Sequence, residues 1–249
     1  MKKYYQLAFM LFCWFAYATS VNAQSPNSVS EEKTVSDVEN RTVYGFVGDL
    51  TLGGCGITKF KTDTPQNLEL LSQWKNGYAI FSGAAAYGEY YVQMYHYNSD
   101  GVGKVENISF AKVSLVSDNS KEIKVMEDNA VKLSDMTFDY STNTMYAVGF
   151  ELGDTFLYSI DLQTGTLTKG PLLQTNAEKQ TIATLAATYD GRLYGLNMKG
   201  ILFKINKETG NLTRVMDTKV HLGYMQSMEF DHTDDCLYWA TMIGRAGVS

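Results

Sequence analysis

Residues 157–168 read LYSIDLQTGTLT, and residues 202–213 read LFKINKETGNLT, so one phrase recurs after 45 residues. In each copy, hydrophobic and polar residues alternate as in a β-strand, up to Asp161 or Asn206. A Thr-Gly pair follows, and glycine readily adopts the left-handed conformation that a short hairpin needs. Strand-like pieces that repeat at this period are typical of a repeat architecture.

A second pattern precedes each phrase: a short strand, a turn rich in Ser, Thr, Asn, Asp or Gly, and a further strand that carries a tyrosine. These tyrosines recur at steps of 47, 55, 48 and 44 residues, at Tyr44, Tyr91, Tyr146, Tyr194 and Tyr238. Such steps have the size of a propeller blade. The sequence therefore predicts about five units.

The third unit shows its strands most clearly. Alternation predicts strands over residues 136–140, 144–150, 156–161 and 166–169. Because so small a sheet must bury its faces against other sheets, the predicted fold is all-β, a β-propeller of four-stranded antiparallel blades. A β-sandwich array is the alternative, but it does not explain the 45-residue self-match.

The fifth unit stops at Ser249, just past its second strand. A half-built blade exposes unpaired strand edges, so we expect the last blade to be incomplete and the chain to be a fragment of a longer protein. Closure of that blade by an N-terminal strand is the alternative. Residues 24–40 are too polar to favour it.

The N-terminal 23 residues have the pattern of a secretory signal peptide. Lys2 and Lys3 precede an apolar run, and Val21-Asn22-Ala23 matches the small-x-small cleavage rule. We therefore expect export to the periplasm, the cell surface or the medium, with no transmembrane segment after cleavage. An uncleaved N-terminal anchor is the alternative.

The remaining chain divides into two parts. Residues 24–40 are polar and lack hydrophobic periodicity, which predicts a disordered leader, and residues 41–249 form the predicted propeller domain. After cleavage, the cysteines that remain are Cys55 and Cys236. A disulfide between them and two buried thiols are both compatible with the sequence.

The two copies of the phrase resemble the Ile-Asp-x-x-Thr-Gly blade motif of bacterial secreted propellers, the YVTN-type and quinoprotein-like families. The resemblance extends from about Tyr44 to Trp239, and the first two units depart from the motif. It implies the propeller architecture but no single activity, because such propellers have many functions. Quinoprotein blades add a tryptophan shortly after the glycine. Residues 166–169 and 211–214 contain none, so no cofactor is predicted.

Composition and motifs exclude several classes of function. The net charge of −6 disfavours a nucleic-acid partner. His96, His221 and His232 lie in different units without the spacing of metal ligands, and the chain has no Gly-x-Ser-x-Gly motif. The repeated Asp, Asn and Thr of the phrase are interpreted as turn residues. The sequence therefore predicts no catalytic residue and no metal ligand.

Geometry then suggests where a ligand binds. Propellers bind at the mouth of the central channel, beside the loops that precede the innermost strands. The polar residues that precede these strands form the predicted binding site: Ser134, Asp135, Thr184, Tyr224, Gln226 and Ser227. A protein, a peptide or a glycan is the expected partner.

The predicted function is that of an exported, non-enzymatic binding or protein-interaction module. The alternative is an exported hydrolase or lyase that acts on polysaccharide or peptide. Such an enzyme needs a second carboxylate within about 5–10 Å of Asp135, since glycoside hydrolysis uses two carboxyl groups.

Overall fold

The computed structural model describes residues 21–22, 40–47, 55–74, 78–97, 105–115, 120–126, 130–176, 178–220, 222–232 and 236–243. In these residues every regular element is a β-strand, and the strands form five antiparallel sheets. No helix in these ranges has the length and hydropathy to cross a membrane.

The third sheet confirms the four strands expected of the third unit. It contains β9 (Lys132–Asp139), β10 (Thr144–Glu151), β11 (Asp154–Ile160) and β12 (Leu167–Leu172). Strand β9 begins four residues before the predicted start at Met136, because Lys132 and Leu133 still pair with β10 beyond a β-bulge. Each strand pairs with the next along the chain, as in a propeller blade.

Two further sheets repeat this order. The fourth sheet contains β13 (Ile182–Ala187), β14 (Leu193–Asn197), β15 (Ile201–Ile205) and β16 (Leu212–Asp217). The second sheet contains β5 (Tyr78–Ala86), β6 (Glu89–Tyr97), β7 (Val105–Ser114) and β8 (Ser120–Met126). The second sheet lacks the Thr-Gly phrase, so its spacing alone predicted the blade correctly.

The first and fifth sheets each have three strands in the described residues. The first contains β2 (Thr42–Val47), β3 (Cys55–Lys61) and β4 (Thr64–Trp74). The fifth contains β17 (Leu222–Asp231), β18 (Cys236–Ile243) and β1 (Val21–Asn22). Strand β1 pairs with β18 and lies inside the predicted signal peptide, whose other residues are outside the described part. The signal peptide and its cleavage therefore stay predictions, as does the leader over 24–40.

The recurring phrase closes the hairpins β11–β12 and β15–β16, as its turn chemistry predicts. Asp161 Oδ1 accepts hydrogen bonds from the backbone of Gln163 and Thr164, at 2.8 and 2.9 Å. Asn206 does the same in the other copy, and both motif glycines have positive φ, 68° and 73°. The repeated Asp and Asn thus satisfy backbone donors of the turn.

The glycine of the phrase also has a packing role that the sequence does not reveal. A Cβ on Gly210 would lie 2.1 Å from the carbonyl oxygen of Leu172 in the third sheet. A Cβ on Gly165 would lie 3.0 Å from Phe110 of the second sheet. Each motif glycine therefore lets its turn approach the preceding blade closely.

The sheets are arranged around an axis with their first strands innermost. Strands β5, β9, β13 and β17, called the inner strands below, pack on one another in that order. The repeating tyrosines Tyr91, Tyr146, Tyr194 and Tyr238 all lie on the second strand of their sheet, which confirms the predicted register. This is the arrangement of a β-propeller.

Hydrophobic residues fill the space between successive sheets. One cluster joins the second and third sheets around Phe110 and Met136, and another joins the third and fourth around Leu157 and Leu185. Similar clusters join the first sheet to the second and the fourth to the fifth. An ion pair of 2.9 Å between Arg41 Nε and Asp231 Oδ2 links β2 to β17, so the five sheets follow one another around the axis.

Candidate functional site

The predicted binding residues lie inside the inner strands instead of in the loops before them. Ser134 and Asp135 belong to β9, Thr184 belongs to β13, and Tyr224, Gln226 and Ser227 belong to β17. The inner strands begin at one face of the propeller, called the upper face here, and end at the lower face. The predicted residues therefore lie along the axis, below the upper face.

Asp135 and Thr184 are brought together by neighbouring inner strands. The Thr184 hydroxyl donates to Asp135 Oδ2, and the backbone N–H of Leu185 donates to the same oxygen at 2.9 Å. Both side chains are buried, Asp135 being only 2% exposed. Burial raises the pKa of Asp135 to about 7, although these hydrogen bonds oppose the change.

Thr137, two residues further along β9, makes a second connection between blades. Its hydroxyl oxygen accepts a hydrogen bond of 3.0 Å from the backbone N–H of Ala187 in β13, and the hydroxyl donates to a carboxylate oxygen of Glu229 in β17 at 3.2 Å. Asp135, Thr137 and Thr184, called the polar clamp below, therefore tie together the inner strands of successive blades.

The other predicted residues do not join the polar clamp. Gln226 Oε1 accepts a hydrogen bond of 3.1 Å from the indole of Trp239 on the adjacent strand β18. Ser227 is exposed, and the buried Oγ of Ser134 has no hydrogen-bond partner among the described residues. The side chain of Tyr224 lies outside the described part. Among the predicted residues whose side chains the structure describes, it brings together Asp135 and Thr184.

Glu229 is an acidic residue on the axis that the sequence did not single out. Enclosure by the surrounding blades raises the pKa of its carboxyl group, and the charge of Asp135 raises it further. Its side chain nevertheless remains exposed to water. The carboxylate is therefore surrounded by protein and still accessible to a ligand.

Four aromatic side chains lie at the lower face, where the inner strands end. They are Tyr87, Tyr140, Tyr189 and His232, one from each of the second to fifth sheets, and they are called the aromatic rim below. Tyr87 is 62% exposed and Tyr189 is 66% exposed. His232 is also exposed, and Tyr140 is half-buried.

The rings of the aromatic rim contact one another across blades. Tyr140 and Tyr189 are stacked with centroids 6.3 Å apart, and His232 meets Tyr140 edge-on at 5.5 Å. Tyr87 meets Tyr140 edge-on at 6.1 Å. Because the third and fifth blades both contribute to the contact between Tyr140 and His232, the rings converge towards the axis. The result is one continuous aromatic surface.

Tyr87 holds its place in this surface in an unusual backbone conformation. It has a φ of 53°, and Gly88 completes the two-residue turn with a φ of 74°. Glycine and asparagine adopt this region readily, whereas an aromatic residue there costs of order 1 kcal/mol. The Tyr87 hydroxyl donates to Asn143 of the next blade at 2.6 Å. Leu152 and Gly153 have the same pair of positive φ angles between β10 and β11, so the conformation of Tyr87 is that of a two-residue hairpin turn.

A buried ion pair supports the rim from beneath. Asp139, the last residue of β9, accepts from Lys207 Nζ at 2.7 Å and from the hydroxyls of Ser141 and Thr142. Burial alone would raise the pKa of Asp139, but these hydrogen bonds lower it to about 2. Because Lys207 belongs to the fourth blade, the pair fixes the turn after Tyr140 against that blade.

The described residues contain no group of three or more His, Cys, Asp or Glu side chains that could hold a metal ion. The acidic run of residues 231, 234 and 235 begins with Asp231, which pairs with Arg41. The other acids of that run, at positions 234 and 235, lie outside the described part.

A sequence signal for the aromatic rim did exist. Tyr140, Tyr189 and His232 occupy the same position when the units are aligned, and Tyr87 follows its inner strand directly. The strand predicted over residues 136–140 includes Tyr140 as its last residue. The structure shows that each follows the end of its inner strand, where a side chain reaches the lower face.

Comparison with known proteins identifies the fold. No family model matches the chain, and no curated protein matches it. A structure of the nidogen–laminin complex is similar with a TM-score of 0.52 and 11% identity, over 81% of this chain and 70% of that one. An oligogalacturonate lyase in complex with manganese is similar with a TM-score of 0.41 and 12% identity, over 77% and 72%. The similarity to the nidogen–laminin structure shows the β-propeller fold alone.

Proposed function

We propose that this protein is an exported, non-enzymatic propeller that binds a partner through its aromatic rim. The observation that carries the proposal is the exposure of aromatic rings from four blades on one continuous surface. Exposed Tyr side chains supply contact area at a low cost in conformational entropy, which is why they are common in binding surfaces.

The contacts of the polar clamp favour a structural role for Asp135 and Thr184, which the sequence predicted as ligand-binding residues. Asp135 and Thr184 are buried and use their polar atoms on each other and on Leu185. A ligand that displaced these bonds would leave buried polar groups unpaired, at about 1–3 kcal/mol each. A ligand can contact the aromatic rim without displacing these buried hydrogen bonds, so the proposed site lies at the lower face.

The proposal is tested by measuring binding of the full chain to arrays of peptides and of oligosaccharides. Each array contains acidic, basic and neutral members. We expect the wild type to retain members of one class, and Tyr189→Ala to weaken that binding about tenfold, the effect of losing one good aromatic contact. Tyr44→Ala is the matched control, because Tyr44 is 39% exposed on β2 and does not belong to the rim. No retained member, or equal losses in both variants, would overturn the proposal.

A hydrolase or lyase that acts on polysaccharide or peptide is the second candidate. It is favoured by one observation, the two neighbouring carboxyl groups of Asp135 and Glu229, whose pKa values are both raised. Its weakness is that Asp135 is buried and hydrogen-bonded away from any ligand. Turnover of an array member by the wild type, abolished in Glu229→Gln, would establish the enzyme and replace the binding proposal.

A further inference from the structure

The acidic residues around the aromatic rim differ in whether they have a cationic partner. Asp139 pairs with Lys207, Asp190 with Arg192 and Asp231 with Arg41. Within the described ranges, Glu229 has no such ion pair, and its hydrogen bonds come from Thr137 and from the backbone of Phe230. Within those ranges no cation offsets the charge of its ionised form, and enclosure by the protein raises the pKa of this carboxyl group to about 8, so a cation bound beside it would favour ionisation.

Glu229 also lies close to the rim. Glu229 of β17 precedes His232 by three residues, which places their Cα atoms about 10 Å apart along the strand at the usual rise. Burial raises the pKa of Tyr140, and the negative charge of Glu229 raises it further, so the carboxylate acts on the rim electrostatically. An extended Lys or Arg side chain is long enough to contact both the rings and the carboxylate.

A second aromatic hydroxyl lies near the same carboxylate. Tyr90 of β6 packs over Gly83 of the inner strand β5, where a Cβ would lie 2.7 Å from the ring. Burial raises the pKa of Tyr90, and the charges of Asp135 and Glu229 raise it further. The surroundings of Glu229 are therefore aromatic and acidic, which is the environment that a cation prefers.

We propose that the partner at the rim is a peptide or protein segment that inserts a Lys or Arg side chain, which stacks on the Tyr rings and pairs with Glu229. This inference rests on the proposed binding function and names its ligand chemistry. Cations bind the faces of aromatic rings, and arginine also stacks on them with its planar guanidinium group. The net charge of −6 further favours a basic partner.

A pair of model peptides tests the inference. The first is an acetylated, amidated Gly-Gly-Arg-Gly-Gly, and the second replaces arginine by citrulline, which has nearly the same shape but no charge. NMR titration of the full chain measures dissociation constants as high as about 10 mM, so it detects weak binding of short peptides. We expect the arginine peptide to bind about tenfold more tightly than the citrulline peptide, as an accessible, partly desolvated cation site predicts.

Substitutions test whether Glu229 causes the preference for the arginine peptide. Glu229→Gln keeps the acceptor for Thr137 and should weaken the arginine peptide about tenfold while leaving the citrulline peptide unchanged, because only the charge is removed. Glu178→Gln is the matched control, with the same change of charge on an exposed residue between β12 and β13. Unchanged urea midpoints would show that both variants remain folded.

The outcomes separate this inference from the proposed function. Equal binding of arginine and citrulline peptides, no binding of either, or equal losses in Glu229→Gln and Glu178→Gln would overturn the cation site. If the wild type still binds array members and Tyr189→Ala still weakens that binding, the proposed binding function stands without the cation site. If Tyr189→Ala has no effect on any bound array member, the proposed function fails as well.

Discussion

The polar clamp and the aromatic rim lie on the same inner strands, yet their side chains have opposite environments. Asp135 is 2% exposed and its carboxylate is held by hydrogen bonds, whereas Tyr189 is 66% exposed and its ring contacts Tyr140 and His232 of the rim. A polar residue near the propeller axis therefore holds blades together when its bonds are already made. An aromatic residue past the strand end is available to a partner.

Among the residues of the clamp and the rim, removing the Asp135 side chain should have the largest effect on stability. Asp135→Ala leaves the Thr184 hydroxyl and the Leu185 N–H without their buried acceptor, so we expect a loss of about 3 kcal/mol in the free energy of unfolding. Urea denaturation measures it. Ser227→Ala, on an exposed residue of the predicted site, should change stability by less than about 0.5 kcal/mol. Equal effects would remove the distinction between clamp and surface.

The clamp should also produce a pH dependence. The pKa of Asp135 is about 7 in the folded protein, above its ordinary value of 3.8, so between these pH values the folded chain keeps a proton that the unfolded chain releases. Stability should therefore fall as pH rises, by about 2 kcal/mol from pH 5 to pH 7. Asp135→Asn should remove this part of the slope, whereas the part due to Glu229, whose pKa is raised to about 8, should remain. An unchanged slope in Asp135→Asn would show that Asp135 makes no contribution.

The ion pair beneath the rim should have an intermediate effect. Lys207→Met leaves Asp139 buried without its cation, which should cost about 1–2 kcal/mol at neutral pH. The pKa of Asp139 is depressed to about 2, so this contribution is present above pH 4 and is lost as pH falls towards 2. Lys199→Met, on an exposed lysine, is the matched control for thermal unfolding. A Lys207 variant no less stable than the control would exclude the supporting role of the pair.

The rim itself should contribute least to stability. Tyr189→Ala should change the free energy of unfolding by less than about 0.5 kcal/mol, because the ring is mostly in water. Tyr194→Ala removes the same side chain from a site that is 6% exposed in the same sheet, and should cost about 3–5 kcal/mol. Similar losses in the two variants would mean that the rim is part of the core.

The sequence predicts the architecture well but does not reveal the contacts between blades. The turn glycines, Asp161 and the tyrosine register depend on local chemistry, which is written in neighbouring residues and repeats at a fixed spacing. The partner of Asp135 is a threonine 49 residues away, and the neighbourhood of Glu229 depends on three different blades. Such contacts arise only when the sheets close around the axis, so spacing alone does not reveal them.

The strand ends were a further source of error. Because β9 starts at Lys132, Ser134 and Asp135 are strand residues instead of the loop residues that the sequence predicted. The aromatic positions were visible in the alignment of units, but their exposure depends on where each inner strand stops.

The most direct test compares a rim variant with a clamp variant in one binding assay. The ligand is the array member that the wild type binds most tightly, and the proteins are Tyr189→Ala and Asp135→Asn, each checked for folding. The account predicts that Tyr189→Ala weakens the affinity about tenfold, whereas Asp135→Asn changes it less than about twofold. Affinity lost in Asp135→Asn and retained in Tyr189→Ala would contradict it and place the site at the polar clamp.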